Sequence, residues 1–256
     1  MKKEPKVSII TIVKNGLPYI NDSLKSFELQ NYQNKELIVV YTNSKDLTFD
    51  ALKSKKFIKK IVIDNKSNNI YGSINLGIKH TTGDLIGFLH ADDIFYNSNT
   101  LQKIVKKFKK NKFNICYGNI LISNKFNLRK ISRAWQSSKF KRSRLKYGWM
   151  PPHTSMFISK ELKNYKYSKK YTISSDYDYI LRIFKKSKKI YFFKNYVTIM
   201  RTGGLSNKYF FLKFKEDLKI IKNYHSFYFI IAILKIIRKL NQLFVFKKEI
   251  ILNNYT

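Results

Sequence analysis

The stretch LIGFLHADDIFY, residues 85–96, joins an apolar run to two adjacent carboxylates, Asp92 and Asp93. Acidic residues are scarce in this chain of 256 residues, which has 16 Asp and Glu against 51 Lys and Arg. A short apolar run of this kind is typical of a buried strand in a parallel sheet. The pair therefore indicates a site at the end of a strand. The structural alternative is that Asp93 caps the next segment and Asp92 lies in a turn.

Strands and helices alternate along the chain before this stretch. The apolar runs predict three further strands, and the helical spacings predict three helices: strands within 6–14, 35–43 and 58–65, and helices within 18–30, 47–55 and 71–83. Such alternation predicts an α/β fold with a Rossmann-like, mostly parallel sheet flanked by helices. Ligands of these sheets bind at the carboxyl ends of the strands, where Asn15, Thr42, Asp64 and the acidic pair fall.

The pattern changes after about residue 101. The remaining sequence predicts an amphipathic helix, a mixed continuation of the sheet and a second helix: helices at 101–110 and 173–187, strands at 113–123 and 128–135, a basic aromatic loop with a strand at 139–159, and two strands with a Gly-Gly turn at 189–207. Beyond residue 207 the sequence is helical in pattern. We therefore expect a catalytic domain at 1–206 and a basic amphipathic helical extension at 207–256.

The formal net charge of +35 has three interpretations. Codon bias explains the abundance of Lys, Asn, Ile, Tyr and Phe, an anionic membrane surface would attract the lysines, and nucleic acid would do the same. Only seven of the 51 basic residues are Arg, the usual choice for bidentate phosphate and base contacts, which argues against nucleic acid. The single cysteine, Cys116, excludes an internal disulfide and fits a reducing compartment, and no secretory signal is visible.

Five motifs in order carry a resemblance to a known family: VSIITIVKNG, GDLIGFLHADD, PPHTSMF, SSDYDYILR and RTGGLSN. The chain resembles the family 2 glycosyltransferases of the GT-A fold over about residues 6–207, and bacterial members that build surface polysaccharides most closely. The resemblance implies a metal-dependent, inverting, hexosyltransferase-like enzyme. Such an enzyme moves a sugar from a nucleotide-diphosphate sugar to a hydroxyl of a glycan or polyprenyl-diphosphate-linked acceptor.

The resemblance also implies roles for the two acidic motifs. Asp93 would bind Mn²⁺ or Mg²⁺, and Asp92 would contact the donor ribose or assist with the metal. Asp176 would be the general base that takes the proton from the acceptor hydroxyl. The alternative is that Asp176 caps its helix and that Asp178 supports the helix N-terminus. Arg182 lies one turn beyond Asp178, so we expect these two side chains to pair.

Further positions follow from the same motifs. The implied donor-binding residues lie in the first half of the chain: Thr11, Asn15, Tyr41, Ser44, Asp46, Asp64, Asn75 and Asp92. The implied acceptor or diphosphate contacts are His153, Asp178 and Arg201, with Gly203 and Gly204 letting the backbone approach the ligand. For His153, a hydrogen bond within a tight Pro-Pro turn is an equally open interpretation.

The chain departs from the family pattern on the side that reads the nucleobase. Tyr41 stands where relatives usually have Asp, and Ser67 and Gly72 stand where they often have acidic residues. One hypothesis is an active enzyme in which Tyr41 stacks on or hydrogen-bonds to the base and Asp64 compensates. The competing hypothesis is a degenerate enzyme with weak donor binding. Loss of one carboxylate hydrogen bond costs on the order of 1–3 kcal/mol, which weakens a site without abolishing it.

The C-terminal tail is basic, with ten basic residues and three acidic ones over 207–256, a net of +7. Residues 227–246 predict an apolar helix with one polar stripe formed by Lys235, Arg238, Lys239 and Gln242. We expect an interfacial helix on anionic lipid, which would place the enzyme in the cytoplasm on the inner face of the membrane. Packing on the catalytic domain, or on a second copy in a homodimer, is the alternative.

Two other function classes fit part of the sequence. A basic nucleic-acid-binding protein would need basic residues in a stripe with stacking aromatics, whereas the lysines here are spread along the whole chain. We therefore expect no nucleic-acid partner. A nucleotidyltransferase would need a Gly-rich phosphate loop near the N-terminus, for which KNGLPYIN, residues 14–21, is a poor candidate.

Overall fold

The computed structural model describes residues 3–67, 69–204, 208–224 and 226–240, without the side chains of 238–240. Within these residues the strands form one nine-stranded sheet in the order β3-β2-β1-β4-β8-β6-β9-β5, with β7 paired to β6. Helices cover the sheet, and apolar side chains fill both of its faces. The predicted α/β architecture is confirmed.

The first half of the chain is a parallel α/β unit. Its elements follow the predicted alternation: β1 (Val7–Val13), α1 (Ile20–Glu28), β2 (Lys35–Tyr41), α2 (Thr48–Lys53), β3 (Ile58–Ile63), α3 (Ile70–His80) and β4 (Leu85–Phe88). β1 lies between β2 and β4 and is parallel to both, and β3 pairs in parallel with β2. The carboxyl ends of these strands therefore meet at one edge of the sheet.

The second half continues the sheet with mixed strand directions. It contains two helices and five strands: β5 (Ile94–Phe95), α4 (Thr100–Asn111), β6 (Ile115–Ser123), β7 (Ile131–Trp135), β8 (Phe157–Ser159), α5 (Ser175–Lys186) and β9 (Ile190–Arg201). β8 is antiparallel to β4 and β6, whereas β9 is parallel to β6 and antiparallel to β5. The predicted mixed continuation is confirmed.

Three boundaries differ from the sequence-based expectation. Residues 190–201 form one strand rather than two, because the register against β6 shifts around Asn119 and this irregularity accommodates the polar residues at 194–195. The two-residue strand β5 was not predicted, since so short a segment has no periodicity of its own. α3 ends at His80, ahead of the predicted end at Gly83.

The close approach of α3 to β1 depends on one glycine. A Cβ at Gly77 would lie 2.6 Å from Cγ2 of Ile10, which is closer than packed carbon atoms approach. The absence of a side chain therefore lets α3 lie directly on the central strand.

Two C-terminal helices pack on α5: α6 (Phe210–Lys222) and α7 (Tyr228–Leu240). A third apolar cluster joins them to the helix and the segment before it: Tyr171, Tyr177 and Leu181 meet Ile220, Ile221, Ile231 and Ala232. The extension thus packs on the domain formed by the preceding residues, which was one of the two alternatives for the tail. No helix among the described residues is long and apolar enough to span a bilayer. The predicted helical segment at 241–256 lies outside the described residues.

Candidate active site

The acidic pair lies in the tight connection between β4 and β5. Asp93 is 1% exposed, and neither of its carboxylate oxygens has a hydrogen-bond partner among the described residues. Burial, and then the charge of Asp92, raises the pKa of Asp93 well above its usual range. The nearby Arg201, through its backbone and its charge, acts to lower the pKa of Asp93, but to a smaller extent. A buried carboxylate without a partner is costly unless something compensates its charge.

These residues fit a divalent cation held jointly with a substrate. Among the residues that the structure describes, no group of three or more His, Cys, Asp or Glu side chains could hold a metal ion alone. Mg²⁺ and similar hard cations are often bound by one or two carboxylates, with substrate phosphates and water completing the shell. Asp93, with Asp92 beside it, would supply the protein ligands of such a site.

Arg201 braces the acidic pair from the neighbouring strand β9. Its guanidinium donates to the Asp92 carbonyl at 2.7 Å, to the Lys125 carbonyl at 3.0 Å and to the Asp22 carboxylate at 2.5 Å. The ring of Tyr19 lies 4.8 Å below it. Arg201 therefore ties α1 and the β6–β7 turn to the acidic pair. The predicted phosphate contact stays a prediction, and it would have to compete with these bonds.

Asp176 stands in the first turn of α5, where its carboxylate accepts from the Tyr177 backbone N–H at 2.8 Å. The Tyr71 hydroxyl lies 3.3 Å from the same carboxylate and donates to the Ile173 carbonyl at 2.6 Å. Burial raises the pKa of Asp176, and the charges of Lys213 and Lys235 lower it only in part. A carboxylate with a raised pKa and access to a ligand suits a general base.

Two histidines lie near the acidic residues. Burial lowers the pKa of His90, against the charges of Asp92 and Asp176, so His90 lies within electrostatic reach of both carboxylates. The rings of His90 and His153 stack at 6.1 Å. His153 is buried, packs on Phe88 and hydrogen-bonds to the Tyr167 hydroxyl at 2.5 Å. Burial lowers the pKa of His153 to about 3, so it is neutral at pH 7.

This geometry favours the structural interpretation of His153, with Tyr167 as the partner rather than the Pro-Pro turn itself. A neutral, buried imidazole offers a diphosphate no charge. The expected pairing of Asp178 and Arg182 is confirmed by an ion pair at 2.8 Å, which occupies the Asp178 carboxylate. Contacts of His153 or Asp178 with acceptor stay predictions.

Three predicted donor residues interlock the loops that follow β1 and β2. Asn15 has a left-handed backbone with φ of 49°. Its backbone N–H donates to the Ser44 hydroxyl at 2.8 Å, and its side-chain oxygen accepts from the Lys45 N–H at 2.8 Å. Asp46 accepts from the Leu17 N–H and from Thr48 at the start of α2. These contacts hold the two loops together at the carboxyl edge of strands β1–β3, where donor binding is predicted and which we call the donor edge. The side-chain carboxylate of Asp46 and amide of Asn15 therefore already have protein partners.

Other predicted donor residues are also engaged. Tyr41 is 8% exposed, packs on Phe49 and accepts the Ser44 N–H at its hydroxyl, so it supports the loop from below. Its stacking on a nucleobase stays a prediction for which the structure offers little exposed ring. Asn75 exchanges two hydrogen bonds of 2.8 Å with the Tyr167 backbone. By contrast, the buried Thr11 hydroxyl has no partner among the described residues.

Asp64 closes the turn after β3. It accepts from the backbone of Lys66 and Ser67 and from the Ser73 hydroxyl at 2.6 Å. Burial acts to raise the pKa of Asp64, but these hydrogen bonds lower it below its usual value. Asp64 is thus ionised and fixed at the sheet edge. Its compensation for the missing base-reading carboxylate stays a prediction.

Sequence reasoning missed several residues that the fold brings to the site: Asp22, Tyr71, Tyr167, Lys213, Glu216 and Lys235. Tyr71 and Tyr167 stack at 5.8 Å beside Asp176, although 96 positions of sequence separate them. The aromatic excess of 16% was a signal that such stacks exist, but it did not say where. No sequence signal marked Glu216, since it falls among lysines in an ordinary amphipathic helix.

The comparisons with known proteins agree with the fold. The family model described as glycosyl transferase family 2 matches residues 8–211. The chain therefore belongs to the family 2 glycosyltransferases, and it is a glycosyltransferase. The resemblance noted from the five motifs is confirmed.

Curated relatives match the chain over less than half of its length. An uncharacterized glycosyltransferase of Haemophilus influenzae is 37% identical over 114 residues, 43% of this chain and 35% of the relative. The UDP-Glc:alpha-D-GlcNAc-diphosphoundecaprenol beta-1,3-glucosyltransferase WfgD of Escherichia coli is 33% identical over 119 residues, 46% of this chain and 47% of WfgD. These matches span less than half of either relative.

Solved structures share the fold. Staphylococcus aureus TarS 1-349 in complex with UDP-GlcNAc superposes with a TM-score of 0.68 at 17% identity, over 94% of this chain and 73% of that one. The mannosyltransferase PcManGT from Pyrobaculum calidifontis, in complex with GDP-Man and Mn²⁺, gives a TM-score of 0.61 at 16% identity over 93% and 65%. At this identity the likeness establishes the GT-A fold.

Proposed function

We propose that this glycosyltransferase moves a sugar from a nucleotide-diphosphate donor to an acceptor hydroxyl by a metal-dependent, inverting displacement. The observation that carries the proposal is the pairing of two distinct acidic centres at one edge of the sheet. The unpartnered Asp93 suits a cation, and Asp176, which has a raised pKa, suits a base. The charges of both Asp92 and Asp176 act on the pKa of His90, which supports the proximity of the two centres.

Each centre has a separate role in this chemistry. A Mn²⁺ or Mg²⁺ ion held by Asp93, with Asp92 at the ribose, would stabilise the charge of the departing diphosphate. Asp176 accepts the proton of the acceptor hydroxyl, whose oxygen attacks the anomeric carbon as the bond to the diphosphate breaks. The Tyr71 hydroxyl and the Tyr177 N–H hold the Asp176 carboxylate in position. Asn15, Ser44 and Asp46 keep the donor edge formed before substrate binds.

Relatives suggest the kind of donor and acceptor. TarS is in complex with UDP-GlcNAc and PcManGT with GDP-Man, and the name of WfgD gives alpha-D-GlcNAc-diphosphoundecaprenol as its acceptor. We therefore propose a nucleotide-sugar donor and a glycan or polyprenyl-diphosphate-linked acceptor, in cell-surface polysaccharide synthesis. The competing proposal, a degenerate enzyme with weak donor binding, draws on Tyr41, Ser67 and Gly72 standing at family carboxylate positions.

The orientation of α7 supports the proposal that the protein binds an anionic membrane surface, on its cytoplasmic side. Lys235 on its polar stripe faces inward, with a side chain only 14% exposed, whereas five of its apolar residues face outward. The outward residues are between 38% and 58% exposed: Phe229, Ile230, Ile233, Leu234 and Ile237. A lysine-lined groove beside them contains Lys215, Lys219 and Lys222 with Leu218 and Tyr228. An apolar face flanked by lysines matches the acyl boundary and headgroups of anionic lipid.

Thermal unfolding with nucleotides tests the donor site. The purified protein is melted with UDP, GDP, dTDP or CMP, each with and without Mn²⁺. A nucleotide at about one hundred times its Kd stabilises the protein by roughly 2.7 kcal/mol. We expect one nucleotide to raise the melting temperature only with Mn²⁺, and Asp93→Asn to abolish that rise.

The control is Asp50→Asn, which removes an equal charge from an exposed position on α2. We expect it to melt and bind like the wild type. The unliganded Asp93→Asn protein should be as stable as the wild type or more stable, since a buried carboxylate without a partner is unfavourable. Absence of any metal-dependent shift in the wild type would favour the degenerate-enzyme alternative.

A further inference from the structure

The segment that leads into the catalytic helix α5 is held by a carboxylate from the C-terminal extension. The backbone N–H groups of Thr172, Ile173 and Ser174 all donate to Glu216 on α6, at 2.7, 2.9 and 2.9 Å. Glu216 is 7% exposed, so these bonds are shielded from water. Consecutive N–H groups that converge on one anion form a fixed local geometry, and charge-assisted bonds of this kind are stronger than neutral ones.

The clamped segment is adjacent to the proposed base. Ser174 precedes α5, has no side-chain cap of its own there, and lies two residues before Asp176. The Ile173 carbonyl accepts from Tyr71, which also contacts the Asp176 carboxylate. A displacement of this segment would therefore move both the base and the tyrosine that orients it. The anion near the N-terminus of α5 is also favourable toward the helix dipole.

A second set of buried charges surrounds the same turn. Asp217 pairs with Lys213 at 3.0 Å and with Lys235 on α7 at 2.9 Å. The Lys235 ammonium lies 3.2 Å from the centre of the Tyr177 ring, and the Lys213 ammonium is 3.5 Å from the Ser174 hydroxyl. Ser174 and Tyr177, which flank Ser175 and Asp176, thus both contact the extension. Its two helices approach the base from one side.

We propose that Glu216 is a positioning residue for transfer: it fixes segment 172–174 and thereby the place of Asp176, so that the C-terminal extension completes the active site. This inference rests on the proposed role of Asp176 as the base. Glu216 acts through that segment and touches no reacting atom. Small displacements of a catalytic group can lower rates by up to about a hundredfold.

The test compares Glu216→Gln with the matched control Glu28→Gln. Gln keeps the shape but exchanges a carboxylate oxygen for an NH₂ group that faces backbone N–H donors. Glu28 lies exposed at the end of α1, so its loss removes the same charge without a buried contact. For Glu216→Gln we expect kcat to fall about ten- to a hundredfold at nearly constant donor KM. The control should retain both values.

Amide hydrogen exchange on the full chain gives a readout that does not require activity. We expect faster exchange at 172–177 in Glu216→Gln and no change in Glu28→Gln. Glu216→Asp, which keeps the charge on a shorter side chain, should be intermediate in both kcat and exchange, and it serves as the test if Glu216→Gln does not fold. Unchanged exchange at 172–177 or a purely KM effect would overturn the inference. Full activity of Asp176→Asn would instead overturn the role of the base and leave the exchange result standing.

Discussion

The donor edge of the sheet and the C-terminal helix pair differ in where their polar side chains find partners. At the donor edge, short loops satisfy Asn15, Ser44, Asp46 and Asp64 locally, whereas the Asp93 carboxylate and the Thr11 hydroxyl have no hydrogen-bond partner among the described residues. In α6 and α7, four charged side chains face inward beside buried apolar ones, whereas other apolar residues of α7 face outward; the four are Lys213, Glu216, Asp217 and Lys235. The first region satisfies most of its polar groups within its own loops, whereas the second depends on its contacts with other parts of the protein.

The C-terminal extension therefore presents two chemically different faces. Its inner face carries Lys213, Glu216 and Asp217 against the segment before the base, and its outer face carries exposed aromatic and aliphatic groups. Deletion of the tail would therefore remove a proposed membrane contact and disturb the base together. Single substitutions on one face or the other separate the two effects.

The largest effect is expected at the base itself. Asp176→Asn keeps the size of the side chain but cannot accept a proton, so kcat should fall by about 10²- to 10⁴-fold. Metal-dependent nucleotide binding should persist, because the donor edge is satisfied without Asp176. Steady-state transfer assays and thermal shift with nucleotide measure the two properties. Equal loss of nucleotide binding would contradict the separation of base from donor site.

The next effect concerns the brace at the acidic pair. Arg201→Ala leaves the Asp92 and Lys125 carbonyls and the Asp22 carboxylate without their donor, so we expect a loss of about 2–4 kcal/mol in the free energy of unfolding. Urea denaturation measures it. The exposed Arg129 is the control, and Arg129→Ala should stay within about 0.5 kcal/mol of the wild type. A small loss for Arg201→Ala would mean that its guanidinium is not a brace.

A smaller effect tests the outer face of α7. Phe229→Asp and Ile233→Asp each replace an exposed apolar side chain, so they should spare the fold. Burial of such a side chain in lipid contributes about 1.5–3 kcal/mol, so binding to phosphatidylglycerol vesicles should weaken about tenfold or more. Co-sedimentation measures binding, with Phe126→Asp at 81% exposure as the control on another surface.

Two results would contradict the lipid face. Equal binding of the wild type and both variants would exclude it as the contact. A concentration-dependent dimer in light scattering that Ile233→Asp dissolves would assign the face to a second copy of the chain instead.

The smallest effect is in the pH profile. Burial holds the pKa of Asp176 above its usual value, so kcat should fall as the pH decreases through a pKa higher than that of an ordinary aspartate. The base must be ionised, so activity is present above this pKa and lost below it. Lys213→Met removes a charge that lowers this pKa, so the acid limb should move to higher pH. Lys106→Met, exposed on α4, is the control and should not move it.

The alternation of strands and helices in the parallel half could be predicted from the sequence, because period and turn chemistry are local, whereas the order of the strands in the sheet could not. The sequence also pointed to Asp92 and Asp93, because scarce carboxylates at a strand end stand out in a basic chain, and the resemblance of SSDYDYILR to a family motif pointed to Asp176. The roles of all three stay predictions. The sequence did not determine that His153 is buried and neutral, or that Arg201 braces Asp22 across 179 positions of sequence. Those facts depend on which distant groups share one pocket.

Tertiary structure alone decided the orientation of the extension. A helical pattern shows that Lys235 and Ile233 lie on different faces, but not which face meets protein. The outcome here depends on Asp217 and the Tyr177 ring, which offer Lys235 a buried anion and an aromatic face. The same was true of Glu216, since three backbone N–H groups become its partners only after α6 packs against α5. Local patterns fix faces and ends, and long-range packing fixes partners.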